Sequence, residues 1–468
     1  MPRFLVSKWV FNKQAYLLLR WGTVGLYGLA LLACDSGRLF QDEHAIAAKR
    51  VCVSEAELAD PQWKMVRERA QRIVAQGSNA GGHYEEVWIR DLSTFIRFAL
   101  VEGDREEIRA ALLRFFYFQG EDGNVPDAIV PIMGGSPMYK YRHSYQEPHY
   151  KAFKNTVETD QESSLIIAVS QYVNSTGDRS LLSEVVDGRT VLERLGRAVG
   201  FLLRERLSST HGLLWGATTA DWGDVQPGHP WGVEMDSNTH KAIDIYDNAM
   251  FILALQAMED LLQEQPETQG GPREVSGLDA PTLNQLRQDI RGAAVRELWQ
   301  AGKSKFRPHL YLNDSPFPPG FEEDRVYFHG GTAVALLAGV LSDQEAFEAY
   351  RRVAENVKKA GAQSIGLSLY PAYPDGFFEN PDMKSYSYQN GGDWVWFGGR
   401  WVSALAQLGL GAQATQSMHQ IVRMVHPHDS IYEWYSLSGQ PRGARDFKGA
   451  AGVILQAFED LERLRCTS

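Results

Sequence analysis

The chain has 468 residues, is 44% hydrophobic and 22% charged, and carries a formal net charge of −11. This is the balance of an ordinary globular protein and excludes bulk disorder. No basic patch is visible, which argues against nucleic-acid binding, and the negative total disfavours a polyanionic ligand unless a local basic cleft overrides it.

The N-terminus reads as an export segment. Arg3, Lys8, Lys13 and Arg20 form a basic region, and the apolar stretch Trp21 to Ala33 is too short to span a bilayer comfortably. It ends in Leu31-Leu32-Ala33-Cys34, which resembles a bacterial lipobox, and Asp35 resembles an inner-membrane retention signal. The resemblance implies lipidation of Cys34 and an exported, membrane-anchored or periplasmic lipoprotein. An uncleaved anchor beginning near Tyr16 is the alternative, and a misassigned start would leave the protein cytoplasmic. Residues 1–50 are therefore set apart as signal and short linker, and 51–468 are read as one domain. Cys52 and Cys466 flank that body; a disulfide joining the ends is open if the chain is exported, but two unpaired thiols are the preferred reading. The three cysteines form no Cys-x-x-Cys or Cys/His cluster, so no metal is expected.

From residue 53 onward, apolar residues recur at three- and four-residue spacing. The pattern predicts twelve helices, over 56–76, 90–102, 104–118, 159–176, 190–206, 243–265, 281–302, 330–341, 343–360, 392–408, 411–426 and 447–465. Ser54, Asp160 and Ser342 stand at start positions, and Gly177 and Gly361 at expected ends. The segment 265–280 is Pro/Gly/Glu-rich and reads as a surface loop. Twelve helices in one run close most simply as six hairpins in a ring, an all-α (α/α)6 barrel or six-hairpin toroid. The long loops 119–158, 207–242, 303–328, 362–391 and 427–446 then gather at one end, and loops of that length in a compact domain are usually functional. No repeat of solenoid length appears.

Those loops hold the polar-aromatic motifs. Tyr84-Glu85-Glu86-Val87-Trp88-Ile89-Arg90-Asp91 places an Arg-Asp pair at a helix start, where it can either cap the helix or grip sugar hydroxyls with Trp88 beside it. Trp215-Gly-Ala-Thr-Thr-Ala-Asp221-Trp222-Gly223-Asp224 sets an acid beside an indole, a half-apolar setting that keeps a carboxyl protonated. Tyr388-Gln389-Asn390-Gly391-Gly392-Asp393-Trp394-Val-Trp396 is the densest such run. Glu433 lies in Tyr432-Glu433-Trp434-Tyr435, ahead of the last helix, with Arg442 and Arg445 as structural partners in the plainer reading. Gly123-Asn124-Val125-Pro126-Asp127 and Glu158-Thr159-Asp160-Gln161-Glu162 look like ordinary helix boundaries. Two separated carboxyl groups in aromatic surroundings are what inverting glycoside hydrolysis requires.

Taken together the motifs resemble the clan of six-hairpin glycosidases. Its nearest members by these motifs are the glucosidase domain of glycogen-debranching enzymes, the glucoamylases, and the processing α-glucosidase and mannosylglycerate hydrolase group. Trp88-Ile-Arg90-Asp91 is similar to the sugar-gripping Trp-x-Arg-Asp of glucoamylases. Thr218-Thr-Ala-Asp221-Trp222 resembles the segment carrying the general acid. Asp244-Ile-Tyr246-Asp247-Asn248-Ala249 resembles the helix that follows it. Glu433 to Phe447 looks like the segment in which the Glu is general base. The resemblance implies an inverting, exo-acting hydrolase of neutral α-glucosides, with Asp221 as acid and Glu433 as base. The order Asp221-Trp222-Gly223-Asp224 allows a shift that favours Asp224, and Lys448-Gly449 departs from the usual Ser-Trp after Phe447. Trp88, Arg90, Asp91, Trp222, Asp224, Gln389, Asn390, Asp393, Trp394 and Trp396 are the expected sugar contacts. No cofactor is implied, and the expected partner is a neutral oligosaccharide or glycoside, with a membrane reached only through the N-terminal lipid or signal anchor. The alternatives are a glycoside phosphorylase of the same fold, with phosphate held by Arg442 and Arg445, and a non-catalytic carbohydrate-binding lipoprotein. A terpene cyclase is disfavoured because no Asp-Asp-x-x-Asp motif appears.

Overall fold

The helices fall into two kinds by burial. Val395–Gln407 is buried along nearly its whole length, from Val395 to Ala406, while Asp343–Ala360 buries only one stripe, including Phe347, Tyr350, Val353 and Val357. A helix apolar all round belongs inside, and an amphipathic one covers it. The computed structural model describes residues 52–263 and 274–466. Among them twelve long helices run α1 Pro61–Val74, α2 Ile89–Glu102, α3 Arg105–Tyr117, α4 Gln161–Thr176, α5 Val191–Phe201, α6 Ile245–Gln263, α7 Ala280–Leu298, α8 His329–Leu337, α9 Asp343–Ala360, α10 Val395–Gln407, α11 Gly411–Val425 and α12 Lys448–Arg463. The even-numbered helices pack each against the next, and α12 returns to α2, closing an inner ring. The odd-numbered helices pack outside it, α7 on α6 and α11 on α10. This is the (α/α)6 barrel expected from the periodicity.

Local chemistry sets the boundaries. Ser54 and Ser342 form capping boxes with Glu57 and Glu345, and Gly177 and Gly361 end α4 and α9 in the left-handed region. The helix expected from residue 56 is instead broken: a turn at Glu55–Leu58 stops where Asp60 caps a new start at Pro61. Proline is well suited to a first helical position and poorly to an interior one. Asp160 precedes α4, but its carboxylate makes no capping bond.

Short strands in the loops add what the periodicity did not show. Val87–Trp88, Ala128–Pro131, Tyr150–Phe153 and Tyr141–Arg142 form a four-stranded antiparallel sheet in that spatial order. Tyr432–Tyr435 pairs with Pro441–Arg445 as a hairpin whose register shifts between Tyr432 and Trp434.

Cys52 and Cys466 are joined in a disulfide, with their Cα atoms 4.9 Å apart, which corrects the reading of two free thiols. The backbones meet there as well: Val53 N–H donates to Leu464 O at 2.9 Å, and Cys466 N–H to Val53 O at 3.0 Å. The sequence had no means of showing that the two chain ends return to one point. The expected export segment with Cys34, and residues 264–273 of the Pro/Gly/Glu-rich loop, lie outside the described residues.

Candidate active site

The first turns of α2 and α10 and the residues just ahead of α4 and α12 meet at the loop-bearing end, where Tyr246 of α6 bonds Asp160 and Gly331 of α8 bonds Asp221. The unpaired N–H groups of these helix starts make that end favourable for carboxylates. A cavity of about 300 Å³ opens there.

Arg90, in the first turn of α2, is the hub. Its Nε donates to Asp160 Oδ2 at 2.7 Å, one Nη to Glu158 Oε2 at 2.8 Å and the other to Asp224 Oδ1 at 2.8 Å. Burial opposes its charge, but Asp160 and Glu158 outweigh that and hold it firmly protonated. Arg90 lines the cavity, yet its donors are already committed to protein carboxylates. Its neighbour Asp91 also faces the cavity, where burial pushes its carboxyl up to about 8 against the pull of Arg90. Gly449 makes room for Asp91: a Cβ at that position would stand 2.4 Å from Oδ1.

The two acids beside Trp222 part company. Asp221 adopts φ 59°, is buried, and turns away from the cavity. Its carboxylate accepts the Gly331 N–H at 2.9 Å, at the start of α8, and borders a separate void of about 10 Å³ with Asp244 and Asp247. The expectation of Asp221 as proton donor therefore finds it behind the wall, anchoring a helix terminus. Asp224, three residues on, faces the cavity. Its Oδ2 accepts from Gln389 Nε2 at 2.7 Å and Tyr388 Oη at 3.2 Å, and its own N–H donates to Gln389 Oε1 at 2.9 Å. Burial raises its carboxyl, but hydrogen bonding from Glu158 and the charge of Arg90 overcome this and hold it below the ordinary value.

Glu433 reaches the same cavity from the hairpin, at the irregularity between Tyr432 and Trp434. Such a bulge re-aims a side chain out of the alternating pattern. Its Oε2 accepts the Ala444 N–H at 2.8 Å, and Tyr84 Oη lies 3.3 Å from Oε1. Burial pushes the carboxyl up to about 7; the Ala444 N–H opposes the shift and the charge of Asp224 adds to it.

Of the expected sugar contacts, Trp88, Trp222, Trp394, Trp396 and Gln389 line the cavity wall. Trp222 meets Trp394 edge-on, with ring centres 5.1 Å apart. Asn390 and Asp393 are not in the wall. The Asn390 amide bonds the Tyr373 N–H at 2.8 Å and the carbonyls of Tyr373 and Met383 at 3.0 Å, and Asp393 accepts from Ser364 N–H at 2.9 Å and Oγ at 2.6 Å. Both order the loops behind the cavity, because a buried amide or carboxylate must have its partners supplied by nearby backbone.

The cavity also contains Tyr84, Asp127, Glu158, Asp382 and Tyr388. Tyr84 and Tyr388 lay inside the aromatic runs, and Asp127 and Glu158 in segments that look like ordinary helix boundaries. Asp382 had no local marker. Six carboxyl groups thus face the cavity, Asp91, Asp127, Glu158, Asp224, Asp382 and Glu433, against the single guanidinium of Arg90. Arg442 and Arg445 are on the exposed strand of the hairpin; Arg445 pairs with Asp429 at 2.9 Å, and Arg442 donates to the Pro441 carbonyl at 3.1 Å.

Comparison with known proteins agrees with this architecture. The chain is similar to the GH63 mannosylglycerate hydrolase from Thermus thermophilus solved in complex with glucose, at 16% identity and a TM-score of 0.57, over 84% of this chain and 99% of that one. It is also similar to a rhamnosidase from Klebsiella oxytoca with rhamnose bound, at 16% identity and a TM-score of 0.51, over 86% of this chain and 64% of that one. Likeness at such identities speaks for the fold alone. A comparison with curated protein sequences finds no match. Residues 81–436 match the family described as the glycosyl hydrolase 94 superfamily, catalytic domain. The chain therefore belongs to the glycosyl hydrolase 94 superfamily and is a glycoside-acting enzyme with a hydrolase/phosphorylase-type catalytic domain on an (α/α)6 barrel.

Proposed function

We propose that the protein is an inverting, exo-acting glycoside hydrolase of neutral sugars, with an α-glucoside as substrate, Asp224 as proton donor and Glu433 as general base. Asp224 replaces Asp221 in this role because only Asp224 reaches the cavity. The observation that carries the reading is that Asp224 and Glu433, from distant segments, line one cavity and are held by separate hydrogen-bond partners.

In this reading Glu433 takes a proton from a water, which attacks the anomeric carbon while Asp224 protonates the departing oxygen. A carboxyl held near 7 is well placed as a base at neutral pH, because proton-transfer efficiency peaks when the catalytic pKa matches the working pH. Trp88, Trp222, Trp394 and Trp396 would cover the sugar faces, and Asp91 would accept its hydroxyls. The inverting geometry requires a separation of roughly 6.5–9.5 Å between the two reacting carboxyls.

Hydrolysis is favoured over phosphorolysis by the charge of the cavity. The one guanidinium lining the cavity is spent on Asp160, Glu158 and Asp224, which leaves no uncommitted cation there for a phosphate dianion, and Arg442 and Arg445 lie on the exposed strand instead. The test is a screen of α- and β-linked gluco-, manno- and galacto-oligosaccharides, reading the product anomer by NMR with and without inorganic phosphate. Free sugar of inverted configuration, released at a phosphate-independent rate, is expected. A sugar 1-phosphate product would overturn hydrolysis, and tight sugar binding without turnover would favour a binding protein.

The Cys52–Cys466 disulfide supports export, since such bonds persist in oxidising compartments. It accords with a lipoprotein anchored at Cys34. Mass spectrometry of the mature N-terminus tests this, with a diacylated or triacylated Cys34 as the expected result.

A further inference from the structure

We infer that Glu158 is the proton-holding partner of Asp224: it lies in the same cavity wall, on the other Nη of the guanidinium that holds Asp224, and supplies the proton that Asp224 passes to the leaving oxygen. The inference rests on Asp224 being the donor.

A proton donor must first hold a proton. Asp224 accepts from Arg90 on one oxygen and from Gln389 and Tyr388 on the other. Donors so arranged favour the carboxylate, so Asp224 at rest has no proton of its own to give. A second carboxyl on the same guanidinium meets that need, because two buried carboxylates crowded on one site favour holding a proton between them. Glu158 is that group. Its Oε2 accepts from Arg90 Nη2 at 2.8 Å and from Gln161 Nε2 at 2.8 Å, which leaves Oε1 as the oxygen to carry a proton.

The charges facing Glu158 come from several elements. Arg90 of α2 favours its ionised form; Asp127, ahead of the strand Ala128–Pro131, and Asp224 favour the protonated one. Asp160 lies two residues on, and Asp244 and Asp247 of the α6 start share the small void beside it. Lys154 is spent on Glu162, at 3.0 Å. Burial adds to the acidic neighbours and holds the Glu158 carboxyl well above the ordinary range.

Glu158 first passes its proton to Asp224; the glycosidic C–O bond then breaks with its electron pair going to the leaving oxygen, which takes that proton and leaves Asp224 ionised again. Water gives its hydroxyl to the anomeric carbon and its proton to Glu433. Glu158 is left ionised beside Arg90, and proton exchange with solvent returns the proton from Glu433 to Glu158.

The test compares Glu158→Gln with Asp224→Asn on maltose and on α-glucosyl fluoride, whose fluoride leaves with little need of a proton. Gln keeps the acceptor for Arg90 and Gln161 and an N–H toward Asp224, but carries no acidic proton. Glu158→Gln is expected to lower kcat on maltose by about 10²–10⁴-fold, with KM nearly unchanged and turnover of the fluoride close to wild type. Equal loss on both substrates would make Glu158 a mere support for Arg90 and overturn the inference. A wild-type rate in Glu158→Gln beside a crippled Asp224→Asn would overturn it alone, whereas wild-type rates in both would overturn the role of Asp224 instead. Should Glu158→Gln fail to fold, Glu158→Asp is measured the same way: the same substrate split upholds the proposal, and its absence overturns it.

Discussion

Glu433 and Gly443 face each other across the hairpin so closely that a Cβ on residue 443 would stand 2.4 Å from Glu433 Oε2. Gly443 also has φ +67°, which side chains with a Cβ adopt at a cost of about 1–2 kcal/mol. Gly443→Ala is therefore expected to displace the Glu433 carboxyl while leaving the helical barrel intact. A displacement of about an ångström in a reacting group costs on the order of 10²-fold in rate. Steady-state kinetics with unchanged far-UV circular dichroism would show it, and an unchanged kcat would remove Glu433 from the chemistry.

Asp221 and Asp224 should separate cleanly. Asp224→Asn is expected to lower kcat on an unactivated glycoside by about 10²–10⁴-fold with little change in melting temperature. Asp221→Ala leaves the Gly331 N–H without its acceptor, which costs about 1–3 kcal/mol of stability. Its folded fraction should turn over within a few-fold of wild type, as active-site titration against thermal melts would reveal.

The pH dependence follows from Glu433. Its carboxyl titrates at about 7 in the folded protein, and the base must be ionised. As pH falls through about 7 the base becomes protonated, so kcat/KM should decline on the acid side and level off above it. The Tyr84 hydroxyl stabilises the ionised form of Glu433, so Tyr84→Phe should move this acid limb to higher pH. A limb that stays in place would show that another group controls it.

The disulfide closes nearly the whole described body into one loop, with a sequence separation of 414. Its removal should destabilise the protein by about 2–4 kcal/mol. Melting of the Cys52→Ser/Cys466→Ser double variant, and of the wild type under reductant, should show matching decreases.

Much of the architecture was written locally. The twelve helices follow from apolar spacing at three and four residues, and their ends from Ser342, Gly177 and Gly361, because caps are satisfied within a few residues of chain. The aromatic runs around Arg90, Trp222, Trp394 and Glu433 likewise marked the segments that build the cavity. Within those segments, neighbouring acids look alike. Asp221 and Asp224 both flank Trp222, and nothing in their spacing says which one turns toward the cavity. That is decided by φ 59° at Asp221 and by the Gly331 N–H waiting at the start of α8.

The sequence by itself determined the class of fold and the stretches that line its open end, since periodicity, caps and glycine positions act over short distances. Tertiary structure alone decided which carboxyls meet, that Asn390 and Asp393 turn inward, that Glu158 and Asp224 share Arg90, and that Cys52 finds Cys466. The reason is physical: ring closure brings together helix starts that are far apart in the chain. The protonation of each acid there depends on burial and on neighbouring charges that only the closed ring supplies.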